Sequence, residues 1–122
     1  MITGTVKKHL GRGRQMGFPT ANIDVPADAE EGIFLAWSHV APLMDQKLPS
    51  LIFIGKNETF EENEKVGEVY ILDFEDNLYG KEIRVEIIEK LRKVIKFSSP
   101  NTLIQQIHND VAEARRRFKK LL

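Results

Sequence analysis

Val66-Gly67-Glu68-Val69-Tyr70-Ile71-Leu72-Asp73-Phe74 is the stretch on which the fold turns. β-Branched and aromatic residues dominate it, as a pleated strand prefers. Alternation sends Val66, Glu68, Tyr70, Leu72 and Phe74 to one face, and Val69 and Ile71 to the other. Both faces therefore carry apolar groups. Such a strand can line the inside of a small barrel and also receive an element packed outside it. Glu75-Asp76-Asn77 supplies a turn, and Ile83-Arg84-Val85-Glu86-Ile87-Ile88 reads as the hairpin partner.

Beyond that hairpin the period changes. Leu103, Ile107, Val111, Ala114, Phe118 and Leu121 recur at steps of four, four, three, four and three, which is one apolar stripe on a helix. Ser99 can cap its start, and Pro100 suits the first helical turn. On the N-terminal side, residues 2–8 read as a strand containing Thr3, Thr5 and Val6. Residues 33–40, led by Gly32, read as a second, and residues 48–54, closed by Gly55, as a third. Residues 42–46 read as a turn and residues 56–65 as a polar, acidic loop. Gly11, Gly13, Gly17 and Pro19 break any regular element between residues 10 and 20. Several strands followed by one amphipathic helix predict an antiparallel barrel or sandwich with the helix packed outside.

The chain of 122 residues fits one domain, spanning 1–122. With 42% hydrophobic and 30% charged residues, it has the composition of an ordinary folded domain rather than a disordered one. Eighteen basic residues balance eighteen acidic ones, which argues against a generic polyanion binder. No cysteine is present, so disulfides, thiolate metal sites and a cysteine nucleophile are excluded. That composition is compatible with a cytoplasmic setting. No apolar run approaches the roughly 20 residues that cross a bilayer, and no signal peptide is visible at Met1-Ile2-Thr3-Gly4.

Gly11-Arg12-Gly13-Arg14-Gln15-Met16-Gly17-Phe18-Pro19-Thr20-Ala21-Asn22 is the segment richest in chemistry. Glycines let backbone N–H groups approach an anion closely, and two arginines add charge. Thr20 and Asn22 alternate on an extended stretch and present oxygens to one side, which suits Mg²⁺. A hairpin loop with chance glycines would read the same way, and the spacing fits neither the Walker loop nor the dinucleotide fingerprint. Glu68 puts a carboxylate on an otherwise apolar face, which requires a partner or a purpose. It is either a general base for a substrate hydroxyl or a strand-end carboxylate reaching water or an arginine. Arg92 could hold a planar or anionic ligand, or lie at a strand end with no ligand at all. Asn57 and Thr59 cap a turn or touch a ligand. His9, His39 and His108 lack metal-ligand spacing and read as structural or surface residues. Arg115-Arg116-Arg117 with Lys119 and Lys120 sits at a helix C-terminus, where cations complement the dipole.

Together these pieces resemble the riboflavin kinase family of bacteria and eukaryotes. The matching elements are Gly4-Thr5-Val6, the glycine-arginine loop, Gly17-Phe18-Pro19-Thr20-Ala21-Asn22, and Gly32-Ile33-Phe34. They continue with Ile54-Gly55-Lys56-Asn57-Glu58-Thr59-Phe60, the Glu68 strand, Leu78-Tyr79-Gly80, Leu91-Arg92, Lys96-Phe97-Ser98-Ser99, Leu103, Gln106-Ile107 and Asp110. Glu58, Phe53 and Val94 depart from the pattern. The resemblance implies a mainly β fold, a small Greek-key β-barrel with a C-terminal α-helix packed on it. It implies transfer of the γ-phosphoryl of ATP to the 5′-hydroxyl of riboflavin, giving FMN. Gly11, Arg12, Gly13, Arg14, Gly17, Pro19 and Asn57 would bind the nucleotide, and Thr20 and Asn22 would hold Mg²⁺. Glu68 would be the catalytic base, and Arg92 and Phe97 would hold the flavin. The implied partners are riboflavin, FMN, ATP and ADP, with no nucleic acid and no membrane, for a cytoplasmic monomer. Bacterial members usually carry an upstream adenylyltransferase domain, so this is a stand-alone kinase or one domain of a longer chain. The alternative is a flavin- or nucleotide-binding module without turnover. An oligonucleotide-binding barrel is the third reading, opposed by the zero net charge and the lack of an aromatic row.

Overall fold

A computed structural model describes residues 1–7, 20–56, 65–74 and 78–121. The nucleotide-loop residues Gly11, Arg12, Gly13, Arg14, Gly17 and Pro19 lie outside these, as do His9, Asn57, Glu58, Thr59 and the 75–77 turn.

Six antiparallel strands precede one helix: β1 (Ile2–Thr5), β2 (Ala21–Ile23), β3 (Gly32–Val40), β4 (Leu43–Gly55), β5 (Val66–Ile71), β6 (Glu82–Arg92) and α1 (Pro100–Leu121). They hydrogen-bond in the order β1-β6-β3-β4-β5-β2. The two outer strands nearly meet. Just past β1, the Lys7 N–H donates to the Asn22 carbonyl at 2.7 Å, which almost closes the sheet into a barrel.

β3 is buried on both faces, and the two faces serve two cores. Phe34, Ala36 and Val40 fill the barrel interior with Ile52, Val69 and Ile83. Ile33, Leu35 and Trp37 turn outward with Leu51, Phe53 and Tyr70 to meet α1. β5 divides as its sequence predicts: Val69 and Ile71 point inside, and Tyr70 lies under the helix. Ala114 and Phe118 seal that outer core, and Phe118 tilts against Trp37 with ring centroids 5.1 Å apart.

Pairing between β3 and β6 slips twice, between Ile33 and Phe34 and between Leu35 and Ala36. The residues of β6 left without a register partner are Leu91 and Ile88. Both pack against the helix-side cluster. The bulges thus aim two extra apolar groups at the helix and advance the strand by two residues. Without them Ile33 would face Lys90; with them it faces Arg92.

α1 begins as predicted at Pro100 behind Ser99. The Thr102 N–H donates to Ser99 Oγ and the Ser99 N–H donates to Thr102 Oγ1, both at 3.3 Å, a reciprocal cap. At the other end Arg115 forks onto Asp73 at 2.8 and 2.9 Å, pinning the helix to the turn after β5.

Three local readings change. The region read as a turn over residues 42–46 is a strand, because β4 starts at Leu43 opposite Val40 and the turn shrinks to Ala41-Pro42. Leu121 belongs to the stripe by period but is exposed, since the helix runs past the sheet. Phe74 lies against the barrel cluster rather than on the face of Glu68, because alternation stops with β5 at Ile71.

Candidate functional site

One row of register partners crosses the outside of the barrel. Arg92 on β6 pairs with Ile33 on β3, Ile33 with Phe53 on β4, Phe53 with Glu68 on β5, and Glu68 with Asn22 on β2. Directly paired residues of antiparallel strands share a face. The sequence-predicted candidates Asn22, Glu68 and Arg92 are therefore members of one transverse line. Strands lie about 4.8 Å apart, so Arg92 and Glu68 stand roughly 14 Å from each other along it.

At the Asn22 end, β2 is only three residues long, and it is held by β5 and by the bridge to Lys7. Its approach to β5 depends on Gly67, the neighbour of Glu68. A Cβ at Gly67 would come within 2.7 Å of Val25 Cγ1 and 3.2 Å of Ile23 Cγ1. Ala21 and Ile23 point into the barrel, leaving Asn22 on the outer side. Thr20 falls on that side too, by alternation across Ala21. Both Asn22 and Glu68 are half-buried.

The Oδ1 atom of Asn22 is buried and accepts no hydrogen bond among the described residues. Leaving such an acceptor unmet costs about 1–3 kcal/mol, so it marks either strain or a place for a missing partner. A hard cation is a suitable partner for a carbonyl oxygen beside a hydroxyl and near a carboxylate. The donor set of Thr20 and Asn22 thus fits Mg²⁺. Among the described residues no three His, Asp or Glu side chains cluster as a metal cage. Mg²⁺ needs none, because it is commonly held by one or two protein groups together with substrate phosphates.

The only other orphaned side-chain atom among the described residues is Ser38 Oγ. Ser38 is fully buried on β3 opposite Val85, inside the barrel and away from the outer row. Ser50, on β4 opposite Ala36, satisfies its own hydroxyl at the Leu48 carbonyl, 2.8 Å away.

At the Arg92 end each guanidinium nitrogen has a hydrogen-bond partner. Arg92 Nε lies 2.9 and 3.1 Å from the two carboxylate oxygens of Asp110, and Nη2 donates to Oδ2 at 2.8 Å. Gln106 Nε2 donates to Oδ1 at 3.0 Å, and Arg92 Nη1 donates to the Lys93 carbonyl at 3.0 Å. Asp110 is 5% exposed. The guanidinium carbon stands 5.8 Å from the centre of the Phe97 ring, so the two residues singled out for a planar ligand do come together. The fork of Arg92, however, grips Asp110. Asp110 received no role from the sequence, although a signal exists: it falls in phase with Ile107, Ala114 and Phe118, a carboxylate on an apolar stripe.

The remaining polar candidates serve the scaffold. His39 is buried and its ring Nδ1 lies 2.9 Å from the Met44 carbonyl, tying the β3–β4 hairpin together. Arg116 and Arg117 both grip Glu113, which holds that carboxyl down at about 2. Arg117 also reaches Glu89, and Arg115 lowers the Asp73 carboxyl in the same way.

A family model described as riboflavin kinase (flavokinase) matches residues 1–118. The chain is 37% identical over 123 residues to the trifunctional protein RibF/MnmA of Mycoplasmoides gallisepticum, covering 98% of this chain and 18% of that protein. It is 33% identical over 124 residues to human riboflavin kinase, covering 95% of this chain and 79% of the human one. The crystal structure of riboflavin kinase from Trypanosoma brucei superposes with a TM-score of 0.67 at 24% identity, over 97% of this chain and 76% of that one, a likeness of fold.

Proposed function

The chain belongs to the riboflavin kinase family, and on that premise we propose that it transfers the γ-phosphoryl group of ATP to the 5′-hydroxyl of riboflavin. The riboflavin oxygen attacks the γ-phosphorus, the bond to the β–γ bridging oxygen breaks, and FMN and ADP result. The observation that carries this reading is the orphaned Asn22 Oδ1 on the strand residue directly opposite Glu68.

Thr20 and Asn22 would hold Mg²⁺, which supplies charge neutralisation on the ATP phosphates. Phosphoryl transfer has little covalent work for the protein to do, so positioning and charge dominate. Glu68 takes the 5′-hydroxyl proton, and its neighbour Phe53 excludes water from one side. Gly11, Arg12, Gly13, Arg14, Gly17, Pro19 and Asn57 bind the nucleotide. The flavin ring sits at the Arg92 and Phe97 end. A tricyclic ring bearing a five-carbon polyol is elongated enough to bridge from there to Glu68 along the row. The three arginines that make the helix end basic are engaged with Asp73, Glu89 and Glu113, which supports small-molecule ligands over nucleic acid. We place the enzyme as a monomer in the cytoplasm, where ATP is made and used.

Incubation of the protein with riboflavin, ATP and Mg²⁺, followed by chromatography, tests the reading. FMN and ADP should appear in equal amounts and only with the metal present. Riboflavin binding without FMN would instead identify a binding module, and neither binding nor FMN would overturn the assignment.

A further inference from the structure

The Arg92–Asp110 pair has a consequence for how the acceptor is recognised. A guanidinium has five N–H donors. In this structure the fork that would grip an anion is closed on a carboxylate that is 5% exposed, and a third nitrogen is committed to the Lys93 carbonyl. Gln106 donates to the same carboxylate from one helical turn earlier. The guanidinium carbon so held stands 5.8 Å from the centre of the Phe97 ring. The same side chain therefore fixes the end of β6, the backbone at Lys93 and the ring of Phe97, all through one helical residue.

We propose that Asp110 is a positioning residue for the planar end of the acceptor. It holds the guanidinium of Arg92 in one place beside Phe97, so that this end meets the planar ring with its contact surface already set. The proposal rests on the riboflavin kinase reading and adds to it a residue that reaches the acceptor only through Arg92. A purely structural ion pair would also join helix to strand, but it would have no selective effect on one substrate.

Steady-state kinetics on Asp110→Asn, with thermal midpoints on the same preparations, separates the two. Loss of the charged partner should raise the riboflavin KM about tenfold, the usual weight of a hydrogen bond to a charged group. The ATP KM and the kcat at saturating riboflavin should stay within about twofold, since the Asn22 and Glu68 end is untouched. Gln106→Leu keeps the Arg92–Asp110 pair, and should raise the riboflavin KM by a smaller factor in the same direction. If Asp110→Asn does not fold, Gln106→Leu carries the test alone. A lowered midpoint with an unchanged riboflavin KM, in whichever variant folds, overturns the proposal. Wild-type protein that neither binds nor converts riboflavin overturns the functional reading and this assignment together. Wild-type conversion with unmoved variants overturns this assignment alone.

Discussion

The two ends of the outer row are built on opposite principles. At Arg92 each donor atom of the side chain has a partner, and the buried carboxylate of Asp110 takes three bonds from Arg92 and one from Gln106. At Asn22 a buried oxygen has none among the described residues. Folded chains rarely leave such atoms unmet, so the Arg92 end is held in place by the protein's own groups, while the Asn22 end leaves an acceptor for a ligand atom. Ser38 limits that lesson. Its orphaned hydroxyl lies inside the barrel, away from the residues of the row. An orphan is informative only where neighbouring chemistry can use it, and Glu68, directly opposite Asn22, is the group proposed to supply that chemistry.

The largest effect is expected at Glu68. Glu68→Gln keeps the shape and removes the base. Turnover should fall by the roughly 10²- to 10⁴-fold usual for general-base loss, while riboflavin binding changes little. FMN formation under single-turnover conditions measures the first, and quenching of flavin fluorescence the second. Asn22→Ala comes next. Loss of a group that merely orients a metal ligand costs about 10- to 100-fold in affinity, so removing a direct oxygen should raise the Mg²⁺ midpoint by at least that. A magnesium titration of FMN formation gives the midpoint, and an unchanged one would leave the orphaned oxygen without a role.

Ser38→Ala sharpens the contrast from the other side. It removes the orphan without touching the row, so activity should be unaltered. The thermal midpoint should rise, by up to about 1 kcal/mol of stability, because a desolvated hydroxyl is gone. The smallest effect concerns the helix end. Glu113 titrates at about 2 in the folded chain, pulled down by Arg116 and Arg117 from an ordinary value of 4.5. A depressed carboxyl favours the fold at pH above its unfolded value and loses that contribution as pH falls through the folded one. The midpoint of the wild type should therefore decline between about pH 4.5 and 2, and Glu113→Gln should flatten part of that decline. The carboxyl is partly exposed at the surface, so 0.5 M salt, a concentration at which the screening length is on the order of 4 Å, should shrink the difference.

How far the sequence reveals this molecule depends on where each signal is stored. β5 and α1 are legible because a period of two and a steady three-or-four step are local properties. The cap at Ser99 and Pro100 is local as well. β2 is not legible, because three residues hold no period and their strand character comes from pairing with β5 and Lys7. The start of β4 reads as a turn because Pro42 precedes it and Asp45-Gln46-Lys47 is polar, and only its pairing with β3 extends it. Among the site residues, Glu68 stands out as a carboxylate on an apolar face. Asp110 carries the same signature on a helix, where an acidic residue passes easily for a solvated one. The two β6 bulges leave no mark in the sequence, yet they bring Arg92 into register with Ile33.

On the proposed reading, one row of side chains does two different jobs, chemistry at Glu68 and positioning at Arg92 and Asp110. The most direct test measures kcat and the equilibrium riboflavin affinity on Glu68→Gln and Asp110→Asn in parallel. A large loss of kcat with affinity retained in the first, and weakened affinity with kcat retained in the second, is the expected result. The same pattern of loss in both variants, or normal turnover in Glu68→Gln, would contradict the account.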